Sequence, residues 1–120
     1  MTRSPDEEAL ELWETQLRKG LLGLAVLAAL WRSRLYGVEL LKRLEGGALV
    51  VSEGTIYPLL SRLRSEGLVT AEWVESTGGP PRKYYALTAL GRSRVRAMAH
   101  AWDRCSTALD GLLKPTTEDA

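Results

Sequence analysis

The stretch SEGTIYPLLSRLRSEGLVTAEWVESTGGPPRKYYALTALG, Ser52 to Gly91, changes its hydrophobic period partway along. Ile56, Leu59, Leu60 and Leu63 recur at helical spacing, with Ser52 placed as a cap and Gly67 as a stop. Pro58 removes one backbone donor from that helix, so an irregular first turn is expected. Beyond Gly67, Val69, Ala71 and Trp73 alternate, which predicts a strand from Val69 to Glu75. Thr77-Gly78-Gly79-Pro80-Pro81 has the composition of a turn, and a returning strand over Arg82 to Leu87 would close a hairpin.

Working outward, the N-terminal side predicts three more helices. The first opens on Ser4-Pro5-Asp6-Glu7, a capping box with proline at the first helical position. It carries a stripe of Leu10, Trp13 and Leu17, and Gly20 is expected to end or bend it. The second, Leu21 to Arg32, is apolar almost all round and should lie at the centre of the core. The third, Tyr36 to Leu44, should turn Val38, Leu41 and Leu44 inward and stop at Gly46-Gly47. Downstream, Thr88 caps a last helix running to about Leu113, roughly 38 Å long. Trp31 and Trp73 are expected in the core, and Lys114 to Ala120 is expected to be a disordered tail.

Three short helices followed by a two-stranded hairpin is the winged helix-turn-helix order, in which the third core helix enters the major groove. The expected fold is therefore mainly α with a two-stranded β-wing. Residues 1–20 form an N-terminal helix at a dimer interface, 21–87 the winged helix-turn-helix, 88–113 a dimerisation helix and 114–120 the tail.

Composition bounds the function. The 120 residues suit one domain, and a net charge of +1 says little by itself. Its distribution says more: residues 52–96 hold seven basic and four acidic side chains, whereas 1–51 hold seven of each and 97–120 hold two and four. A local excess of positive charge is what a phosphate footprint needs. The apolar run from Leu21 to Trp31 is 11 residues, short of the ~18 of a membrane span. No signal-peptide pattern opens the chain, so a cytoplasmic location is expected. A lone Cys105 and a lone His100 cannot build a zinc site of the usual kind within one chain, and no nucleophile–base motif suggests an enzyme. No cofactor is expected.

The candidate DNA contacts come from the helix and the hairpin. With its apolar face fixed inward, the helix presents Thr55, Tyr57, Ser61 and Arg62 outward, with Ser52 at its start. Hydroxyls and guanidiniums can bond phosphate or base edges. Arg82 and Lys83 follow the hairpin turn, where a basic pair can reach the backbone beside the groove, and Tyr84 and Tyr36 complete the set. Double-stranded DNA is thus the expected partner. A winged helix used only for protein assembly is the alternative, and the basic hairpin argues against it.

The last helix carries a separate argument. Val95, Met98, Trp102, Cys105, Leu109 and Leu112 are spaced three, four, three, four, three, a heptad seam on a helix longer than its domain. Such a seam wants a partner, either the first helix or the same helix of a second copy; a two-fold dimer would use it with Leu10 and Trp13.

In Leu35-Tyr36-Gly37-Val38-Glu39-Leu40, Glu53 to Leu60, Leu63 with Glu66-Gly67-Leu68-Val69, and Gly79 to Thr88 with Gly91, the chain resembles the PadR-like transcriptional regulators over about Leu21 to Trp102. The resemblance implies a winged-helix homodimer of the short subfamily that represses genes and is released by a small molecule. It implies that Thr55, Tyr57 and the Arg82-Lys83 wing face DNA. It also implies that Trp102 lies at a pore at the dimer centre, where its indole can stack on a small planar hydrophobic or aromatic effector. Trp13, Met98 and Leu17 could line the same space, and the plainer reading of Trp102 is an interface residue.

Overall fold

The fold is described from a computed structural model covering residues 2–49 and 51–118, with backbone alone at 115–118. The N-terminal capping box forms: the Glu7 amide donates to Ser4 Oγ at 3.2 Å and the Ser4 amide to Glu7 Oε2 at 3.3 Å. It opens helix α1, Pro5–Ala29. This helix runs unbroken through Gly20, and the two helices expected on either side of that residue are one. A mid-helix glycine costs only about 1 kcal/mol relative to alanine, which the helix formers around it and the burial of the second half outweigh. Residue 20 instead marks a change of environment. Leu10, Leu12, Trp13 and Leu17 before it are exposed, and Val26 and Leu27 after it are buried.

The remaining elements are β1 (Leu35–Tyr36), α2 (Gly37–Leu44), α3 (Glu53–Ser65), β2 (Val69–Ser76), β3 (Gly79–Leu87) and α4 (Ala89–Glu118). The strands form one three-stranded antiparallel sheet in the order β1-β3-β2. β1 adds a strand to the expected hairpin, pairing Leu35 with Tyr85 and Tyr36 with Tyr84. Two residues are too few to show an alternating pattern in sequence. The hairpin turn is tighter than its composition suggests. Thr77 and Gly78 alone make it, with Gly78 at φ 78°, and Pro80 and Pro81 already belong to β3. They sit before β1 begins to pair, where the β2–β3 register also shifts between Val74 and Ser76, so the missing proline donors disturb no regular ladder.

The core gathers Val26, Leu27 and Leu30 after and within α1, Leu40 and Leu44 of α2, the four apolar residues of α3, and Leu35, Leu68, Val69 and Tyr85. Three expectations shift. Leu40, not Val38, is the inward residue of α2: the helix starts at Gly37, and phase then turns 37, 40 and 44 inward and leaves Val38 exposed. Trp73 keeps the alternation of β2 but lies past the edge of the core and is 66% exposed. Trp31 is half-buried, with the Arg92 and Arg96 guanidiniums 4.9 and 5.2 Å from its ring centre.

Thr88 docks α4 onto the domain. Its amide donates to the Leu68 carbonyl at 3.1 Å, its hydroxyl donates to the Gly67 carbonyl at 2.6 Å, and the same oxygen accepts the Gly91 amide at 2.9 Å. The helix continues through Lys114 to Glu118, so the expected disorder gives way to helical backbone there; Asp119 and Ala120 lie outside the described residues. The chain spans 58 × 40 × 22 Å with a radius of gyration of 17.7 Å, against about 14 Å for a compact domain of its size. The excess comes from the first half of α1 and the second half of α4, which project from the core.

Candidate nucleic-acid interface

Helix α3 is anchored by Ile56, Leu59, Leu60 and Leu63, all buried. At 100° per residue the opposite side is a line of Gly54, Pro58, Ser61 and Ser65, all exposed. These small residues let the helix backbone come close to whatever it faces. The larger polar groups stand on its two flanks. Helix α3 runs on through Pro58, and the Gly54 carbonyl that its missing donor leaves unpaired belongs to this exposed line, where water can reach it. Ser52 precedes the first turn as expected, although its Oγ lies 3.2 Å from the Thr55 hydroxyl and caps no amide.

On one flank, α3 and the β2–β3 wing form a cleft of about 420 Å³. Its walls include Tyr57 and Ser61 from α3, Trp73, Arg82, Lys83 and Tyr85 from the wing, and Tyr36, Gly37 and Val38 at the start of α2. The sheet explains which wing residues meet there. Trp73 stands directly across from Lys83, and the Lys83 ammonium lies 5.7 Å from the Trp73 ring centre and 5.9 Å from that of Tyr85. On the other face of the sheet, Arg82 lies 4.6 Å from the Tyr36 ring centre and Arg34 lies 4.7 Å from that of Tyr84. Gly37 lies under the Tyr57 ring at the cleft floor: a Cβ there would fall 2.9 Å from two of its carbons, so a larger residue would displace that side chain. Burial, helped by neighbouring Tyr57 and opposed by Arg64, pushes the Tyr85 hydroxyl above its ordinary pKa. A tyrosine hydroxyl is neutral near pH 7 in any case, and the shift only extends that range upward.

The opposite flank of α3 carries Thr55, Pro58 and Arg62. With Lys19, Leu22 and Gly23 of α1 they border a second groove of about 490 Å³. Arg62 is tied only loosely, at 3.7 Å, to the exposed Glu66. Of the expected contacts, Tyr36, Tyr57, Ser61, Arg82 and Lys83 thus come together in one cleft, Thr55 and Arg62 lie across the helix from it, and Tyr84 lies on the outer sheet face. Gly37, Trp73 and Tyr85 belong to the same cleft but were not singled out. For Trp73 the alternation suggested burial, and for Gly37 the sequence gives no sign of the facing ring.

The expected effector residues divide. Trp102, Met98 and Cys105 of α4 border a shallow groove of about 230 Å³ with Gly20, Leu21 and Leu24 of α1. Trp13 and Leu17 lie further along α1, exposed and away from that groove. Of the heptad seam, Val95 and Met98 pack against the core, while Trp102, Leu109 and Leu112 are exposed at 48, 52 and 73%. Cys105 is exposed too.

Among the described residues no group of acidic, histidine and cysteine side chains could hold a metal, and no helix is long and apolar enough to cross a membrane. The model of the transcriptional regulator PadR-like family matches residues 26–97. A PadR family transcriptional regulator from Eggerthella lenta DSM 2243 is 34% identical, with a TM-score of 0.79 over 89% of this chain and 94% of that one. A PadR-like transcriptional regulator from Bacillus cereus ATCC 14579 is 37% identical, with a TM-score of 0.75 over 82% and 96%. An uncharacterised protein of Lysinibacillus sphaericus is 23% identical over 95 residues, 77% of this chain and 87% of that one.

Proposed function

Because the chain belongs to the PadR-like family of transcriptional regulators, and is thus a DNA-binding regulator rather than an enzyme, we propose that it is a homodimeric, ligand-responsive repressor acting on an inverted-repeat operator in the cytoplasm. The observation that carries this reading is the cleft between α3 and the wing. It brings Arg82, Lys83, Tyr57 and Ser61 to one side of a helix whose outermost line is small. With α3 in the major groove, one sugar-phosphate strand passes through the cleft and the other passes the Thr55–Arg62 flank. Phosphate contacts from the wing set affinity and register, and Ser61, Thr55 and Tyr57 are the groups placed to read bases.

Two reader helices on a dyad suit half-sites about one helical turn apart, ~10 bp, or a multiple. The second copy is supported by the exposed part of the α4 seam, Trp102, Leu109 and Leu112, and by the exposed stripe of α1, both apolar. Occupying the operator blocks transcription. A planar effector held between Trp102 and its dimer mate would change the spacing of the two reader helices and release the DNA.

The test is a DNA-shift assay on the promoter of the protein's own gene across salt concentrations. Arg82→Ala with Lys83→Ala should weaken binding to every sequence and flatten the log–log salt slope by about 1–2 units. An unchanged slope removes the wing from the DNA contacts.

A further inference from the structure

We propose that Tyr36 is a positioning residue for DNA binding: its ring, not its hydroxyl, holds the Arg82 guanidinium at the mouth of the cleft. The proposal rests on the reading of the wing as a phosphate-binding element and assigns Tyr36 an indirect part in it.

Four side chains form a continuous stack on the outer face of the sheet. Arg82 lies 4.6 Å from the Tyr36 ring centre, Tyr36 meets Tyr84 edge-on at 5.5 Å and 74°, and Arg34 lies 4.7 Å from the Tyr84 ring centre. Glu72 lies at the far end, loosely paired with Arg34 at 3.9 Å. Among the described residues no carboxylate pairs with Arg82. A guanidinium held over a ring keeps its in-plane N–H donors free, whereas one held by a carboxylate spends two of them. The stack therefore fixes the long Arg82 side chain while leaving its donors available for phosphate.

Tyr36 is well placed to be the fixed member. Its backbone pairs with Tyr84 in the sheet, and its amide donates to Glu39 Oε1 at 3.2 Å across the first turn of α2. One residue thus ties the wing to the start of α2, and α2 carries Gly37, on which the Tyr57 ring of the reader helix rests.

The experiment is fluorescence anisotropy of the full chain with a labelled mixed-sequence DNA duplex, titrated across salt, with thermal melting as a check on folding. Tyr36→Leu should bind about two- to five-fold more weakly, the factor an exposed cation–ring contact supplies. Its salt slope should fall toward that of Arg82→Ala, which loses about one unit. Tyr36→Phe, which keeps the ring, should retain more of the binding and of the salt slope than Tyr36→Leu, and Tyr36→Leu should cost nothing further once Arg82 is alanine. Loss in Tyr36→Phe equal to that in Tyr36→Leu would assign the effect to the hydroxyl and overturn the proposal, as would additive losses in the double variant. If Tyr36→Leu does not fold, Tyr36→Phe and Arg82→Lys carry the test, the latter keeping the charge but losing the planar stack. Should Arg82→Ala leave binding unchanged, the wing reading falls as well; should it weaken binding while Tyr36→Leu does not, only the positioning role falls.

Discussion

Gly37 and Tyr57 illustrate how a single atom sets the shape of the cleft. The Tyr57 ring rests against Gly37 so closely that a methyl group there has no room. Gly37→Ala should therefore weaken DNA binding by pushing Tyr57 out of place, and lower stability by less than the ~1–3 kcal/mol of overpacking a closed core, since the exposed end of the ring can move. Adding Tyr57→Ala should restore much of the stability but not the binding; equal melting temperatures for parent and Gly37→Ala proteins would contradict the contact. Sequence reasoning placed Tyr57 on the outer face correctly and was silent on Gly37, because a glycine's neighbour across space leaves no periodic trace. Trp73 shows the reverse. Its alternation with Val69 and Ala71 is real, yet the strand outruns the core, so an apolar position on the inward face ends up 66% exposed beside Lys83.

At the scale of the element, α1 is the instructive case. Gly20 looked like a stop, but helices stop when the chain gains by leaving them, and here the second half of α1 is held by the burial of Val26 and Leu27. A Cβ at Gly20 would meet nothing within 4 Å. Gly20→Ala should accordingly raise stability by about 0.5–1 kcal/mol in a thermal melt. A fall would show that a partner chain packs against that position. Helix α3 was legible almost in full, since its four buried residues and the outward placing of Thr55, Tyr57, Ser61 and Arg62 follow from spacing alone. The wing was legible as a hairpin, but its third strand and its tight two-residue turn depend on pairing partners far along the chain.

The molecule as a whole is longer than a compact chain of its size, and its projecting parts are apolar. Leu109 and Leu112 on α4 and Leu10 and Trp13 on α1 are all more than half exposed. A homodimer would cover them. Leu109→Asp would place an unpaired charge in that contact at a cost of several kcal/mol, roughly, and should give monomers on a sizing column that no longer bind operator. A stable dimer would sink the seam argument. The groove beside Trp102 calls for a separate measurement. Planar polycyclic compounds should quench tryptophan fluorescence, and Trp102→Ala should remove most of the response; equal quenching in the variant would move the pocket elsewhere.

The sequence by itself determined the family, the fold class, helix α3 with its inward face, the basic residues of the wing and the apolar seam, because each is written in local spacing, in short motifs or in both. Only the tertiary structure decided that α1 is one helix, that a third strand joins the wing, that Trp73 and Gly37 belong to the cleft, and that Tyr36 lies under Arg82. The physical reason is common to all four. They are set by packing and pairing between residues far apart in the chain, where burial and close approach override what neighbours in sequence prefer.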